Sequence, residues 1–172
     1  EALYLKGHAY YQLGVLKAVQ EGDVSGPFFE KMDTAYQSAL SRNDNFGPHG
    51  EDSLLALMRR TNYLFQVNHD YRDAVRSFKR ILEQFPANIY SYRVRHRLAT
   101  ALFQLGEYEE AERYFQQVVD QFGQTRYVDD QAFRDSFFRL GHCQFLLKNF
   151  SHAADTIKTL LQLVDYEKIP EV

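Results

Sequence analysis

The stretch LGEYEEAERYFQQVV, Leu105 to Val119, holds the end of one helix and the start of another. Gly106 suits the left-handed residue that closes a helix. Glu107, Glu109 and Glu110 crowd the next N-terminus, where the helix dipole favours negative charge. Tyr108, Ala111, Phe115, Val118 and Val119 recur at spacings of three and four, which predicts one buried stripe. The offsets 3, 7 and 10 from the leading aromatic return twice. NHDYRDAVRSFKRILEQFP (Asn68 to Pro86) supplies Tyr71, Ala74, Phe78 and Ile81, and KNFSHAADTIKTLLQ (Lys148 to Gln162) supplies Phe150, Ala153, Ile157 and Leu160. The leading aromatics stand 37 and 42 residues apart, so the stretch is one copy of a repeating unit.

Each of these helices follows another apolar-periodic run: LLALMRRTNYLFQV from Leu54, YRVRHRLATALFQL from Tyr92 and FRDSFFRLGHCQFLL from Phe133. The unit is therefore helix, tight turn, helix. A first copy is interrupted by insertions. LKGHAYYQLG (Leu5 to Gly14) reads as its first helix and FFEKMDTAYQSAL (Phe28 to Leu40) as its second, with the turn-rich EGDVSGP (Glu21 to Pro27) between them. A second such stretch, RNDNFGPHGED (Arg42 to Asp52), follows. The expectation is an all-α chain in one stack over residues 1–172. Its units run approximately 1–42, 51–88, 89–123 and 128–166, with insertion loops at 21–27 and 43–50. The absence of an initial Met and a helical pattern already running at Glu1 suggest a piece of a longer protein.

At 172 residues with a net charge of -3, the chain lacks the basic tract that general nucleic-acid binding requires. No apolar run reaches the roughly 20 residues of a bilayer span. The single cysteine, Cys143, excludes an internal disulfide framework and falls where the repeat wants a small packing residue. No two of the six histidines stand three to five residues apart, and HExxH and phosphate-cradling glycine loops are missing. Asn43 to Gly47 has the look of a calcium loop, but the twelfth position from Asn43 is Leu54. His142 and Cys143 are neighbours on a helix and diverge by about 100 degrees, so they form no nucleophile and base pair. The acidic run from Glu107 to Glu112 reads as an exposed helix start, with Glu109 placed to meet Arg113. No catalytic, metal or cofactor site is expected.

Gly7, Ala9, Tyr10 and Gly14, then Tyr71, Ala74, Phe78 and Pro86, then Leu98, Gly106, Tyr108, Ala111 and Phe115, and finally Leu140, Gly141, Phe150 and Ala153 resemble the signature positions of the tetratricopeptide repeat. The resemblance covers nearly the whole chain and implies a right-handed α-solenoid of about four helix pairs. It departs from the pattern in its long spacing, in Met32 where a small residue is expected and in Gly123 where proline is usual. The connector Phe85-Pro86-Ala87-Asn88-Ile89-Tyr90 is echoed by Phe122-Gly123-Gln124-Thr125-Arg126-Tyr127. With the long spacing, it is similar to repeats of bacterial cell-envelope proteins, of the outer-membrane-assembly lipoprotein and Tol-Pal periplasmic-partner types. That narrower likeness implies a periplasmic or outer-membrane-associated location; without it the compartment stays open.

A stack of helix pairs offers its first helices as an inner face. In the helix from Tyr92 the predicted packing stripe is Val94, Leu98, Ala101, Leu102 and Leu105, leaving Arg93, His96, Arg97, Thr100 and Phe103 opposite. The matching residues are Arg59, Arg60, Tyr63 and Gln66 in the second unit and Asp135, Phe138, Arg139, His142 and Phe145 in the fourth. The candidate groove is thus Arg59, Arg60, Tyr63, Arg93, His96, Arg97, Phe103, Phe138, Arg139 and His142. Arginine forks grip carboxylates and aromatic rings anchor apolar side chains. The reading is a non-catalytic scaffold for a protein or peptide segment, acidic by this argument; the plainer alternative is a solvated face. The two-carboxylate clamp of chaperone-binding relatives does not transfer, because Tyr4, His8, Arg59, Tyr63 and His96 stand where those relatives carry Lys and Asn. A second function class stays open, a ligand-sensing or glycan-binding module of a larger signalling or enzymatic protein. The helix around Ala2 to Leu13 or the tail near Tyr166 could also pair with a second copy, giving a homodimer.

Overall fold

The computed structural model describes residues 2–21, 27–41, 51–86, 91–122 and 131–165. Among them are eight α-helices and no strand. The chain divides into two compact units, Glu1–Asn88 and Ile89–Val172. The first holds α1 (Ala2–Glu21), α2 (Pro27–Ser41), α3 (Glu51–Gln66) and α4 (Tyr71–Gln84). The second holds α5 (Ser91–Gln104), α6 (Tyr108–Phe122), α7 (Gln131–Leu146) and α8 (Phe150–Asp165). Each unit is two helix pairs. No described helix is long and apolar enough to cross a membrane.

The turns within pairs share a device. His69, Gly106 and Lys148 occupy the same repeat position and all have positive φ, at 53°, 79° and 65°. This left-handed residue lets the next amide reach back over the helix end. Glu107 N donates to Leu102 O at 3.0 Å and Asn149 N to Gln144 O at 2.8 Å. Only Gly106 adopts the conformation without a Cβ penalty. The restart of α4 is capped by Asp70, whose side chain accepts from Asp73 N at 3.1 Å.

Close approach of the helices within a pair fixes two small residues. A Cβ on Gly7 would lie 2.6 Å from the Tyr36 ring, and one on Gly141 would lie 2.7 Å from Ile157 Cδ1. The predicted pairing of first and second helices is therefore present in the first and last copies. Phe29, Met32, Tyr36 and Ala56 form a core in the first unit, with Tyr10, Tyr11 and Tyr63 packed on it. Met32, the departure from the small-residue pattern, is fully buried and fills that core. In the second unit Val94, Leu98, Ala101, Leu102, Ala111, Phe115, Val118, Phe133 and Leu140 are buried.

Three local expectations are corrected. Gly14 does not end the first helix, because α1 runs on to Glu21. Gly14 is instead a buried contact with the Phe29 ring, and the apolar run beyond it continues the helix. Ala9 is exposed and not a packing position. Thr100, placed opposite the packing stripe, is buried, and its hydroxyl donates to His96 O at 2.9 Å. Leu98 to Leu102 are all buried because α5 meets both α6 and α7, so its covered face is wider than one stripe. Residues 22–26 of the first insertion, the 43–50 insertion with its Asn43 to Gly47 segment, Ala87 to Tyr90 and Gly123 to Tyr127 lie outside the described residues.

Candidate functional site

Aligning the pairs on their repeat positions sets Gly7, Asn62, Ala99 and Gly141 in register on the first helices. On the second helices it sets Phe29, Tyr71, Tyr108 and Phe150 in register, and likewise Asp33, Val75, Glu112 and Ala154. Each pair thereby presents one equivalent patch, built from both of its helices. Within each unit the first such patch receives the first helix of the following pair.

In the first unit α3 lies on the α1–α2 patch through polar and aromatic contacts. Arg59 Nη1 meets His8 Nδ1 at 2.5 Å, donates to Tyr36 Oη at 3.1 Å and stands 5.0 Å from the Tyr11 ring centroid. Arg60 Nε stands 2.8 Å from Asp33 Oδ1, and its Nη1 donates to Ser77 Oγ at 3.2 Å. Tyr63 stacks on Phe29 with ring centroids 6.0 Å apart. Burial raises the Asp33 carboxyl above its ordinary pKa even though Arg60 pulls it down. Burial likewise raises the Tyr36 hydroxyl, with Arg59 opposing, and that of Tyr63, helped by the Glu30 and Asp33 charges.

In the second unit α7 covers the α5–α6 patch. Ser136 Oγ donates to Ala132 O at 2.6 Å, so the 2.9 Å contact with His96 Nδ1 is a bond donated by the imidazole. His96 Nε2 faces Asp135 Oδ2 at 3.4 Å, and Arg139 Nε donates to the same oxygen at 2.6 Å. Phe133 stacks on Tyr92 at 5.1 Å, and Phe103 meets the His142 ring at 5.1 Å.

The ten candidate groove residues therefore divide by role. Arg59, Arg60 and Tyr63 are engaged inside the first unit, where they hold α3 on α1 and α2. In the second unit His96 joins α5 to α7 through Ser136 and Asp135, and Arg139 pairs with Asp135 along α7 itself. Arg97 is half-buried, and burial, then the nearby Arg93 charge, lower its pKa. Arg93 is exposed with its guanidinium 5.5 Å from the Tyr92 ring centroid. Phe103 is half-buried, while Phe138 and His142 are exposed. Two of the five expected arginines, Arg59 and Arg60, are thus built into helix-to-helix contacts, because a long guanidinium side chain reaches the neighbouring pair as readily as it reaches solvent.

The patch of the last pair is open. Phe138, His142 and Phe145 from α7 with Phe150, Ala154 and Ile157 from α8 line a groove of about 570 Å³. Phe138, Phe145 and Phe150 are 56%, 58% and 57% exposed, although each is a large apolar side chain. Phe145 and Phe150 meet edge to face at 5.5 Å. Phe145 belongs to the opposite-side set foreseen for the fourth unit. Phe150 and Ala154 do not, since Phe150 has the sequence position of a packing aromatic and only the open side of the pair shows otherwise. Ala154 stands where α2 has Asp33 and α6 has Glu112, so this patch, like that of α4 with Val75, has no carboxylate at the position.

Among the described residues no three His, Cys, Asp or Glu side chains gather as a metal-holding group. Cys143 is fully buried, and its thiol is pushed up to about 12 by burial and then by the Glu112 charge. It is a packing residue and not a reactive thiolate.

Comparison with known proteins bears on the fold. A family model described as Tetratricopeptide repeat matches residues 68–132, from the α3–α4 turn into α7. No curated protein matches the chain in sequence. The fold is similar to that of MamA residues 41 to the end from Desulfovibrio magneticus RS-1. That match has a TM-score of 0.64 at 16% identity and covers 94% of this chain and 77% of the other. It is also similar to the nearly identical TPR-like repeats of a Podosopora anserina kinesin light chain, with a TM-score of 0.62 at 14% identity, covering 95% and 87%.

Proposed function

We propose that this chain, a tetratricopeptide-repeat protein by the family match of its middle pairs and by its fold, works as a scaffold that docks a partner polypeptide on the open face of α7 and α8. The fold is that of interaction modules. The observation that carries the reading is the exposure of Phe138, Phe145 and Phe150 around one groove, in a chain whose equivalent patches at α1–α2 and α5–α6 are each covered by a helix. Exposed aromatic side chains clustered in a concavity are the usual anchors of a protein interface. Arg93 and Arg97, on α5, would add attraction for acidic residues of the partner, as a contribution to encounter more than to affinity. The connector resemblance extends the proposal to a partner in a bacterial envelope assembly, which cell fractionation would test.

The groove itself is tested by capture from lysate with the native chain, a Phe138→Ser/Phe145→Ser variant and an Arg93→Ala/Arg97→Ala variant, all of native helicity. The aromatic variant should lose the captured polypeptide. The arginine variant should retain it, with weaker dependence on salt. Equal capture by the native chain and the aromatic variant would move binding off this groove.

A further inference from the structure

We infer that the contact of α5 with α7 is a pH-sensitive catch, closed by the imidazolium form of His96 and loosened when that ring loses a proton. The inference is independent of what the α7–α8 groove docks, since it uses only groups inside the second unit.

The neighbours of the ring set its proton count. Ser136 is fully buried, and its hydroxyl gives its one hydrogen to Ala132 O at 2.6 Å. Toward His96 Nδ1, 2.9 Å away, Ser136 Oγ can then only accept, so Nδ1 carries a hydrogen. On the other edge of the ring Nε2 lies 3.4 Å from Asp135 Oδ2, an oxygen that already accepts from Arg139 Nε at 2.6 Å. Acceptor faces acceptor there unless Nε2 is protonated as well. A neutral imidazole has one N–H and suits one edge only, whereas the cation suits both. The serine is what forces the choice. A hydroxyl able to turn could donate to a neutral ring, but the bond to the α7 backbone holds this one as an acceptor.

The surrounding groups act in both directions. The His96 side chain is 16% exposed and lies 6.0 Å from the Phe115 ring of α6, and such burial disfavours a cation. Arg139 on α7 and Arg93 and Arg97 on α5 oppose it too. Glu112 of α6 favours positive charge on this side of α7, where its own charge acts on Cys143. His142, the other ionisable ring of α7, is exposed and meets Phe103. Asp135 is the charge in contact with the ring, and because attraction falls with distance it decides the balance.

Asp135, Ser136 and Arg139 occupy one turn of α7, and His96 is the α5 side chain that joins that turn. To either side along α7, Tyr92 stacks on Phe133 and Phe103 meets His142, so packing persists when His96 is neutral. Deprotonation thus loosens α7 on α5 without releasing it. The folded chain holds a proton that the unfolded chain gives up near the ordinary histidine value of about 6.5. The contribution of the catch to stability is therefore complete below that value and is lost as pH rises through the higher folded one.

Nitrogen-detected NMR titration of the full chain is the direct test, with the His96 signals assigned from their loss in His96→Gln. At neutral pH both ring nitrogens should be protonated, and the ring should titrate above about 6.5. Asp135→Asn, at a partly exposed position, should lower the midpoint by about 1 or more. Raising the pH from about 6 to 9 should lower the denaturant midpoint of the native chain more than that of His96→Gln, with circular dichroism checking each fold. If His96→Gln does not fold, Asp135→Asn gives the same comparison. A ring that is neutral at pH 7 with its proton on Nδ1 alone would overturn the inference. So would a midpoint indifferent to Asp135→Asn, or native and variant stability profiles that run parallel.

Discussion

The α1–α2 patch of the first unit and the α7–α8 patch of the second occupy the same repeat positions and differ in what covers them. On the first, Phe29 is packed under Tyr63, and Asp33 and Tyr36 meet the two arginines of α3. On the second, the equivalent residues Phe150, Ala154 and Ile157 face a groove. The covered patch carries ionisable groups that are costly to bury and are therefore paired, whereas the open one has no carboxylate at the equivalent position and presents aromatic rings. The two patches thus differ in charge as well as in cover: the ionisable groups stand where a helix of the same unit meets them, and the exposed rings stand where no described helix does.

The sharpest way to break this comparison is to truncate the same repeat position on both patches. Phe29→Ala should cost about 3–4 kcal/mol in denaturant unfolding, as a buried aromatic lost to a cavity. Phe150→Ala should cost no more than about 1 kcal/mol, because more than half of its surface is already in water. Equal losses would mean that Phe150 is covered in the free chain and that the groove is not available.

The next largest effect concerns the charge pairing. Arg60→Ala should destabilise by about 2–3 kcal/mol, because it strands the half-buried Asp33 carboxylate. The sign of the pH dependence follows from the raised pKa of Asp33. Its ionised form is disfavoured by folding at neutral pH, so its contribution to stability improves as pH falls through the folded pKa toward the ordinary value of 3.8. Asp33→Asn should remove that component from a stability profile measured between neutral and mildly acidic pH. A native profile identical to that of Asp33→Asn would show that Arg60 already compensates the burial.

The smallest effect lies beside the open groove. Lys148 pays for a φ of 65° that Gly106 adopts freely at the matching turn. Lys148→Gly should therefore gain about 0.5–1 kcal/mol in thermal or denaturant unfolding without altering partner capture. A loss instead would show that the lysine side chain holds the turn by contacts worth more than its backbone strain.

Much of this could be read along the chain. The offsets 3, 7 and 10 at Tyr71, Tyr108 and Phe150 located the second helices, and the runs from Leu54, Tyr92 and Phe133 located the first ones. Gly106 as a helix closer followed from being a glycine between two helical runs, and Cys143 as core from its place among small residues. The candidate site was legible only in part. Phe103, Phe138, His142 and Phe145 were recognisable as side chains opposite the packing stripe, yet so were Arg59, Arg60 and Tyr63, which the fold uses to seat α3. Helical phase says which way a side chain leaves its own helix, and it is silent on whether another helix lies there. The turn residues His69 and Lys148 carry no glycine signal, and Phe150 has the same pattern as its buried counterparts.

What the sequence determined by itself was the helix pair and its repetition, because hydrophobic period, turn chemistry and propensity act within about forty residues and are all written locally. What only the tertiary structure decided was which copies of the repeat surface are covered. That depends on Arg59, Arg60 and Tyr63 finding His8, Asp33, Tyr36 and Phe29 across the fold, and on α7 and α8 presenting Phe138, Phe145 and Phe150 with no described helix laid over them. Burial is a property of pairs of surfaces, and a pattern confined to one helix cannot state it.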